Sequence, residues 1–127
     1  MELFDILTPD GKPTGVIKER SLVHRDGDLH GTVHVWLVRK NHLGRWEILL
    51  QKRSEQKDSF PGCYDISSAG HIPAGEGFAD SAIRELREEL GMDARADELC
   101  FVGMHRARYV GEFYGKPWNN DELSAVY

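Results

Sequence analysis

The sequence predicts a single α+β domain over residues 1–127, with a mixed or antiparallel sheet carrying one long helix. Short runs rich in β-branched and aromatic residues lie on both sides of one segment with helical periodicity, residues 78–90. At 127 residues and 40% hydrophobic, the chain is long enough to bury one core.

The elements follow in order. Residues 3–8 (LFDILT) read as a short strand, stopped by the turn residues Pro9-Asp10-Gly11. A second short strand runs through Val16-Ile17, and KERSLVHRDG reads as a helix of one or two turns closed by Gly27. Residues 31–39 (GTVHVWLVR) read as a strand that places His30, His34 and Trp36 on one face, because side chains alternate. KNHLGR turns the chain, and residues 46–52 (WEILLQK) return as the hairpin partner. RSEQKDSFPG is a loop, and CYDISSAGHI is a further strand. After the helix, residues 98–110 read as a strand, EFYGKPWNN as a turn-rich excursion, and ELSAVY as a last strand. One helix on one face leaves the other face without cover, so a C-terminal helix is expected to be missing from this chain.

The bulk numbers narrow the function classes. A net charge of −5 and a pI near 5.6 argue against a nucleic-acid polymer as partner. They do not argue against a small anion, since a metal ion inverts the local sign. Cys63 and Cys100 form no C-x-x-C pair, which argues against a zinc knuckle or a disulfide scaffold and suits a reducing compartment. With no signal pattern and no long apolar run, the expectation is a cytoplasmic protein that needs no membrane.

The helix carries the chemistry. Phe78, Ala79, Ala82, Ile83, Leu86 and Leu90 recur at i, i+3 and i+4, and Gly91 stands where a left-handed residue ends a helix. Glu85, Glu88 and Glu89 crowd within one turn, where each like-charge pair costs about 0.2–0.5 kcal/mol. All three are expected to flank the apolar stripe, held against the protein body. A hard divalent cation such as Mg²⁺ or Mn²⁺ takes several oxygen ligands and turns that repulsion into coordination.

Gly70, Glu76 and the run Arg84-Glu85-Leu86-Arg87-Glu88-Glu89-Leu90-Gly91-Met92 match every fixed position of G-x5-E-x7-R-E-U-x-E-E-x-G-U, with U a bulky aliphatic. Average residue usage puts a chance match at one start position on the order of one in 10⁹. Through this box, residues 70–92, the chain resembles the Nudix hydrolases. The resemblance implies an α/β/α sandwich. It also implies Mg²⁺- or Mn²⁺-dependent cleavage of a nucleoside diphosphate linked to another moiety, or of a related diphosphate. Glu85, Glu88 and Glu89 match the metal-binding glutamates, and the Gly70 backbone carbonyl matches a further ligand. Glu76 matches the residue that pairs with and orients Arg84. Dimers are common in the family, so a homodimer is among its implications.

Residues 49–71 (LLQKRSEQKDSFPGCYDISSAGH) resemble one branch of the superfamily, the isopentenyl-diphosphate isomerases. In those a histidine-rich metal site accompanies this stretch. His71 and Glu122 match two of its ligands. His24 and His30 correspond best to two upstream histidines, at a spacing one residue short, and Asn120 stands where a second acid belongs. The catalytic cysteine of the isomerases lies immediately before the Gly-His pair, and here that residue is Ala69. Alanine supplies no acid, base or thiol, so the expected activity is a hydrolase of isomerase-like build. Isomerisation is one alternative. A non-catalytic module binding a nucleotide or diphosphate is the other. Lys52, Arg53 and Lys57 are candidates for gripping substrate phosphate. Phe60, Tyr64 and Trp118 are candidates for lining a pocket or packing in the core.

Overall fold

The computed structural model describes residues 1–57, 60–113 and 115–127, so Asp58 and Ser59 of the expected loop and Tyr114 of the expected excursion lie outside the described residues. Strands Leu3–Leu7 (β1) and Pro13–Glu19 (β2) pair antiparallel around the Pro9-Asp10-Gly11 turn, where Gly11 adopts φ 85°. Helix Arg20–Asp26 (α1) follows without a break. It ends at Gly27, which takes φ 73° and donates its N–H to the Val23 carbonyl at 2.9 Å.

Strand Leu29–Val35 (β3) lies second in the central sheet, and Val38–Lys40 (β4) pairs with Trp46–Ile48 (β5) as a separate hairpin. The expected strand over 31–39 is therefore two strands, and Trp36 leaves the face of His30 and His34. Its N–H instead donates to the Tyr127 carbonyl at 2.9 Å. The expected return strand over 46–52 also divides. Gln51–Lys52 (β6) turns away to pair with Tyr64–Asp65 (β7), and Ser68–His71 (β8) joins β3.

Helix Phe78–Leu90 (α2) has the bounds that the periodicity predicts. Gly91 at φ 65° donates to the Arg87 carbonyl and Met92 to that of Leu86, so the left-handed glycine turns the chain back to satisfy the last carbonyls. Ala82 and Leu86 pack on Val33, Val35 and Ile72, with Phe78 and Leu90 at the margin. Leu86, 2% exposed, contributes about 1.5–3 kcal/mol by leaving water.

A 3₁₀ turn at Ala96–Glu98 precedes the long hairpin Gly103–Phe113 (β9) and Lys116–Val126 (β10). This corrects two expectations: no strand covers 98–102, and the described residues of 112–120, glycine and proline included, belong to the hairpin. Pro117 is tolerated there because β3 pairs with β10 only from Asp121 onward. Upstream of that point, the missing N–H of proline interrupts no ladder on that side.

The central sheet has the order β8-β3-β10-β9, antiparallel except for the parallel pair β3/β10. Strand alternation gives its two faces different chemistry. Val33, Val35, Leu123 and Ala125 are buried on the side of α2. His30, Thr32, His71, Glu122 and Ser124 point the other way, where α1 brings His24 against them. Among the described residues, no helix is long and apolar enough to cross a membrane.

Candidate functional site

α2 carries its carboxylates along the edge of β8. The Glu85 side chain is only 13% exposed, and a Cβ at Gly70 would collide with its carboxyl group. Glycine at 70 is thus what lets a carboxylate lie against the strand backbone. Glu88 is 58% exposed and Glu89 is exposed. This corrects the expectation for the trio: only Glu85 is held against the protein body, because the helix turns the other two outward.

Arg84 is the hub of the cluster. Its Nε donates to Glu76 Oε1 at 3.0 Å, so the expected Glu76–Arg84 pair is formed, and Ser81 Oγ also bonds that Glu76 oxygen. Arg84 Nη1 donates to Glu85 Oε1 and to Glu88 Oε2, each at 3.0 Å, and Nη2 reaches the His71 carbonyl at 3.4 Å. Burial and contact with the Glu89 carboxyl push Glu85 up to about 7, against the pull of Arg84. Glu89 Oε2 accepts a hydrogen bond from Gln51 Nε2 at 2.7 Å.

This cluster lines an open cleft of about 620 Å³, whose walls include Gly70, His71, Arg84, Glu85 and Glu88. Glu2 and Arg20 line it as well, joined by an ion pair at 3.3 Å. Sequence reasoning missed Arg20, Glu2 and Gln51; none falls in a motif, and only the folded chain brings them to the box.

A second cluster lies on the polar face of the sheet. The ring nitrogens of His24 from α1, His30 from β3 and His71 from β8 fall within 4.8 Å of one another. Glu122 Oε1 from β10 stands 3.5 Å from His71 Nε2 and 3.9 Å from His30 Nε2. Both ring nitrogens of His24 and the Nε2 of His30 are buried without a hydrogen-bond partner. Burial, reinforced by His30 and His71, holds His24 down to about 4, so its imidazole is neutral and its lone pair available at pH 7. Burial disfavours the Glu122 carboxylate, yet His71 and Asn120 bring it down to about 2. Buried imidazoles beside a carboxylate are a donor set that suits a divalent cation, and the orphaned nitrogens are what such an ion would satisfy. Trp118 stacks on His24 at 3.9 Å between centroids, and Phe4 stacks on His30 and His71.

The remaining candidates separate. Arg53 donates to Asp65 at 2.9 Å, and Lys52 and Lys57 are exposed. Among the described residues that line the cleft, none of these three appears. Phe60 and Tyr64 are 69% and 70% exposed, so neither packs in the core. His34 bonds Ser124 Oγ at 3.3 Å, a structural contact on β3 and β10.

Comparison with known proteins agrees with this geometry. The NUDIX domain model matches residues 28–127. Nudix hydrolase 3 of Arabidopsis thaliana is 54% identical over 128 residues, covering 98% of this chain and 16% of that protein. An uncharacterised Nudix hydrolase of Clostridium acetobutylicum is 39% identical, over 85% of this chain and 51% of that protein. An isopentenyl-diphosphate Delta-isomerase of Halorhodospira halophila is 36% identical, over 83% and 58%. The chain thus spans from about a sixth to just over half of the length of these relatives. The crystal structure of DR0079 from Deinococcus radiodurans superposes with a TM-score of 0.59 at 21% identity, over 99% of this chain and 72% of that one. With an intact box set on an α+β fold of this build, the chain belongs to the Nudix family.

Proposed function

We propose that this chain is a divalent-metal-dependent hydrolase of a diphosphate joined to another moiety, with Mg²⁺ or Mn²⁺ as its cation. The observation that carries the reading is the convergence of Glu85, Glu88 and Gly70 on one cleft, with Glu89 held alongside. Glu85, Glu88, Glu89 and the Gly70 carbonyl would hold the cation, which when bound neutralises phosphate oxygens and acidifies water. Glu76 fixes Arg84 through Nε, and Arg84 in turn sets Glu85 and Glu88 through Nη1. Water adds to one phosphorus, its proton passes to a carboxylate, and the bridging oxygen leaves with the other phosphate. Arg20, paired with Glu2, is a cation lining the same cleft, where a negative substrate group would meet it.

His24, His30, His71 and Glu122 are proposed as a second cation centre, on the face of the sheet opposite α2. This centre, with the isomerase among the relatives, favours isomerisation of isopentenyl diphosphate as a second reading. Ala69 opposes it, and an assay for dimethylallyl diphosphate is expected to find none.

The deciding experiment is a screen of diphosphate compounds with Mg²⁺ and Mn²⁺, reading phosphate-containing products. Glu85→Gln and Glu89→Gln should each lower turnover by about a hundredfold or more with the fold intact. Near-normal turnover in both would overturn the metal assignment. Ligand binding without product would leave a binding module.

A further inference from the structure

We infer that Gln51 is a positioning residue that fixes the Glu89 carboxylate for the cation; this rests on the metal reading of the box proposed above. Gln51 lies on β6, 38 residues before Glu89. Its Nε2 donates both hydrogens, one to Glu89 Oε2 and one to the Ser67 carbonyl, each at 2.7 Å. A carbonyl accepts only, and so does an ionised carboxylate, so the amide can stand in one orientation; flipped, it would set its oxygen against two oxygens.

The anchor is rigid. Ser67 is fully buried, its Oγ accepts from the Leu37 N–H at 2.9 Å, and the same hydroxyl donates to the Leu49 carbonyl. Leu37 lies just before β4 and Leu49 just after β5, so Gln51 hangs from a point tied to both ends of that hairpin.

The three box glutamates are thus held by different means. Glu85 is wedged beside Gly70 and bonded by Arg84, and Glu88 is also bonded by Arg84. Glu89 receives a neutral donor instead. An amide orients a carboxylate through one oxygen without adding a positive charge that would compete with a divalent cation. A lysine or arginine at position 51 would fix the same carboxylate and neutralise it. The amide sets the geometry of Glu89 and brings no charge of its own.

Mn²⁺ binding, followed by the free-ion signal in electron paramagnetic resonance, tests this on four proteins: the parent, Gln51→Met, Glu89→Gln and the double variant. Methionine fills the same volume and removes both donors. Gln51→Met should weaken Mn²⁺ binding about tenfold, and the double variant should bind no more weakly than Glu89→Gln alone. Parent-like binding by Gln51→Met, or losses that multiply in the double variant, would overturn the assignment. If Gln51→Met loses its cooperative melt, Gln51→Asn carries the test. Its amide is one methylene shorter and cannot bridge Ser67 and Glu89 as the parent side chain does, so the same tenfold loss is expected and parent-like binding refutes the role. If the parent binds no Mn²⁺, the metal reading fails and the role of Gln51 falls with it. Mn²⁺ binding by the parent, matched by equal binding in Gln51→Met, refutes only the role of Gln51.

Discussion

Glu85 sits in conflict when no cation is bound. It is largely buried, it touches Glu89, and its pKa is raised to about 7 from the ordinary 4.5. The folded state therefore holds a proton that the unfolded chain releases between pH 4.5 and 7. Across that window Glu85 removes stability as the pH rises. In chelator, Glu85→Gln should stabilise the protein at pH 8 by up to about 3 kcal/mol, and the gain should vanish near pH 4. Urea melts at the two pH values measure it. A variant no more stable than the parent at pH 8 would mean that the carboxylate is not held under strain. Excess Mg²⁺ or Mn²⁺ should reverse the order, because the parent then gains its cation and the glutamine does not.

At the scale of elements, the close approach of α2 to β8 depends on an absent side chain. Gly70 pairs with Val33 in the middle of the β8/β3 ladder, where any residue could satisfy the backbone bonds. Only glycine leaves room for the Glu85 carboxyl. Gly70→Ala should push the Glu85 carboxyl off the strand, at a cost of about 1 kcal/mol or less in thermal or urea unfolding, because the group it meets is the far end of a flexible side chain. The cost should shrink in Glu85→Ala, which frees the space; equal costs in both backgrounds would place the crowding elsewhere. The helix itself was legible from its residues, from Phe78 to its Gly91 stop, because its periodicity and its end are local. The strands were less so. Leu37 and Leu50 look like strand interior in sequence. Yet the chain breaks after Val35 and again after Ile48, where the hairpin β4/β5 separates from the sheet. The long β9/β10 hairpin was hidden by Gly111, Gly115 and Pro117, which act locally as breakers. Cross-strand pairing overrode them.

For the whole molecule, the buried histidines and Glu122 set the acid limit. His24 is lowered to about 4 from 6.5, so its contribution is complete above pH 6.5 and is lost as pH falls toward 4. Glu122 is lowered to about 2, and its contribution is lost as pH falls from 4.5 toward 2. Both act in the same direction, against Glu85. The metal-free protein should unfold progressively below pH 6.5. His24→Gln should flatten that limb between pH 6.5 and 4, read by urea melts followed by circular dichroism across that range. An unchanged acid limb would show that His24 is not neutral in the folded state.

The sequence by itself determined the box: its glycine, its glutamates and their arginine sit within 23 consecutive residues, and a helix turns that spacing into geometry with no outside help. It also placed the chain in its family. The resemblance named the histidines and Glu122, and only the tertiary structure decided that they meet beside the box. His24, His30, His71 and Glu122 come from α1, β3, β8 and β10. They meet because a parallel β3/β10 pair and an antiparallel β3/β8 pair fix their register. Gln51 reaches Glu89 for the same reason, through a strand that leaves its hairpin. Contacts of that range are set by sheet order and register, which side-chain periodicity along one segment does not encode.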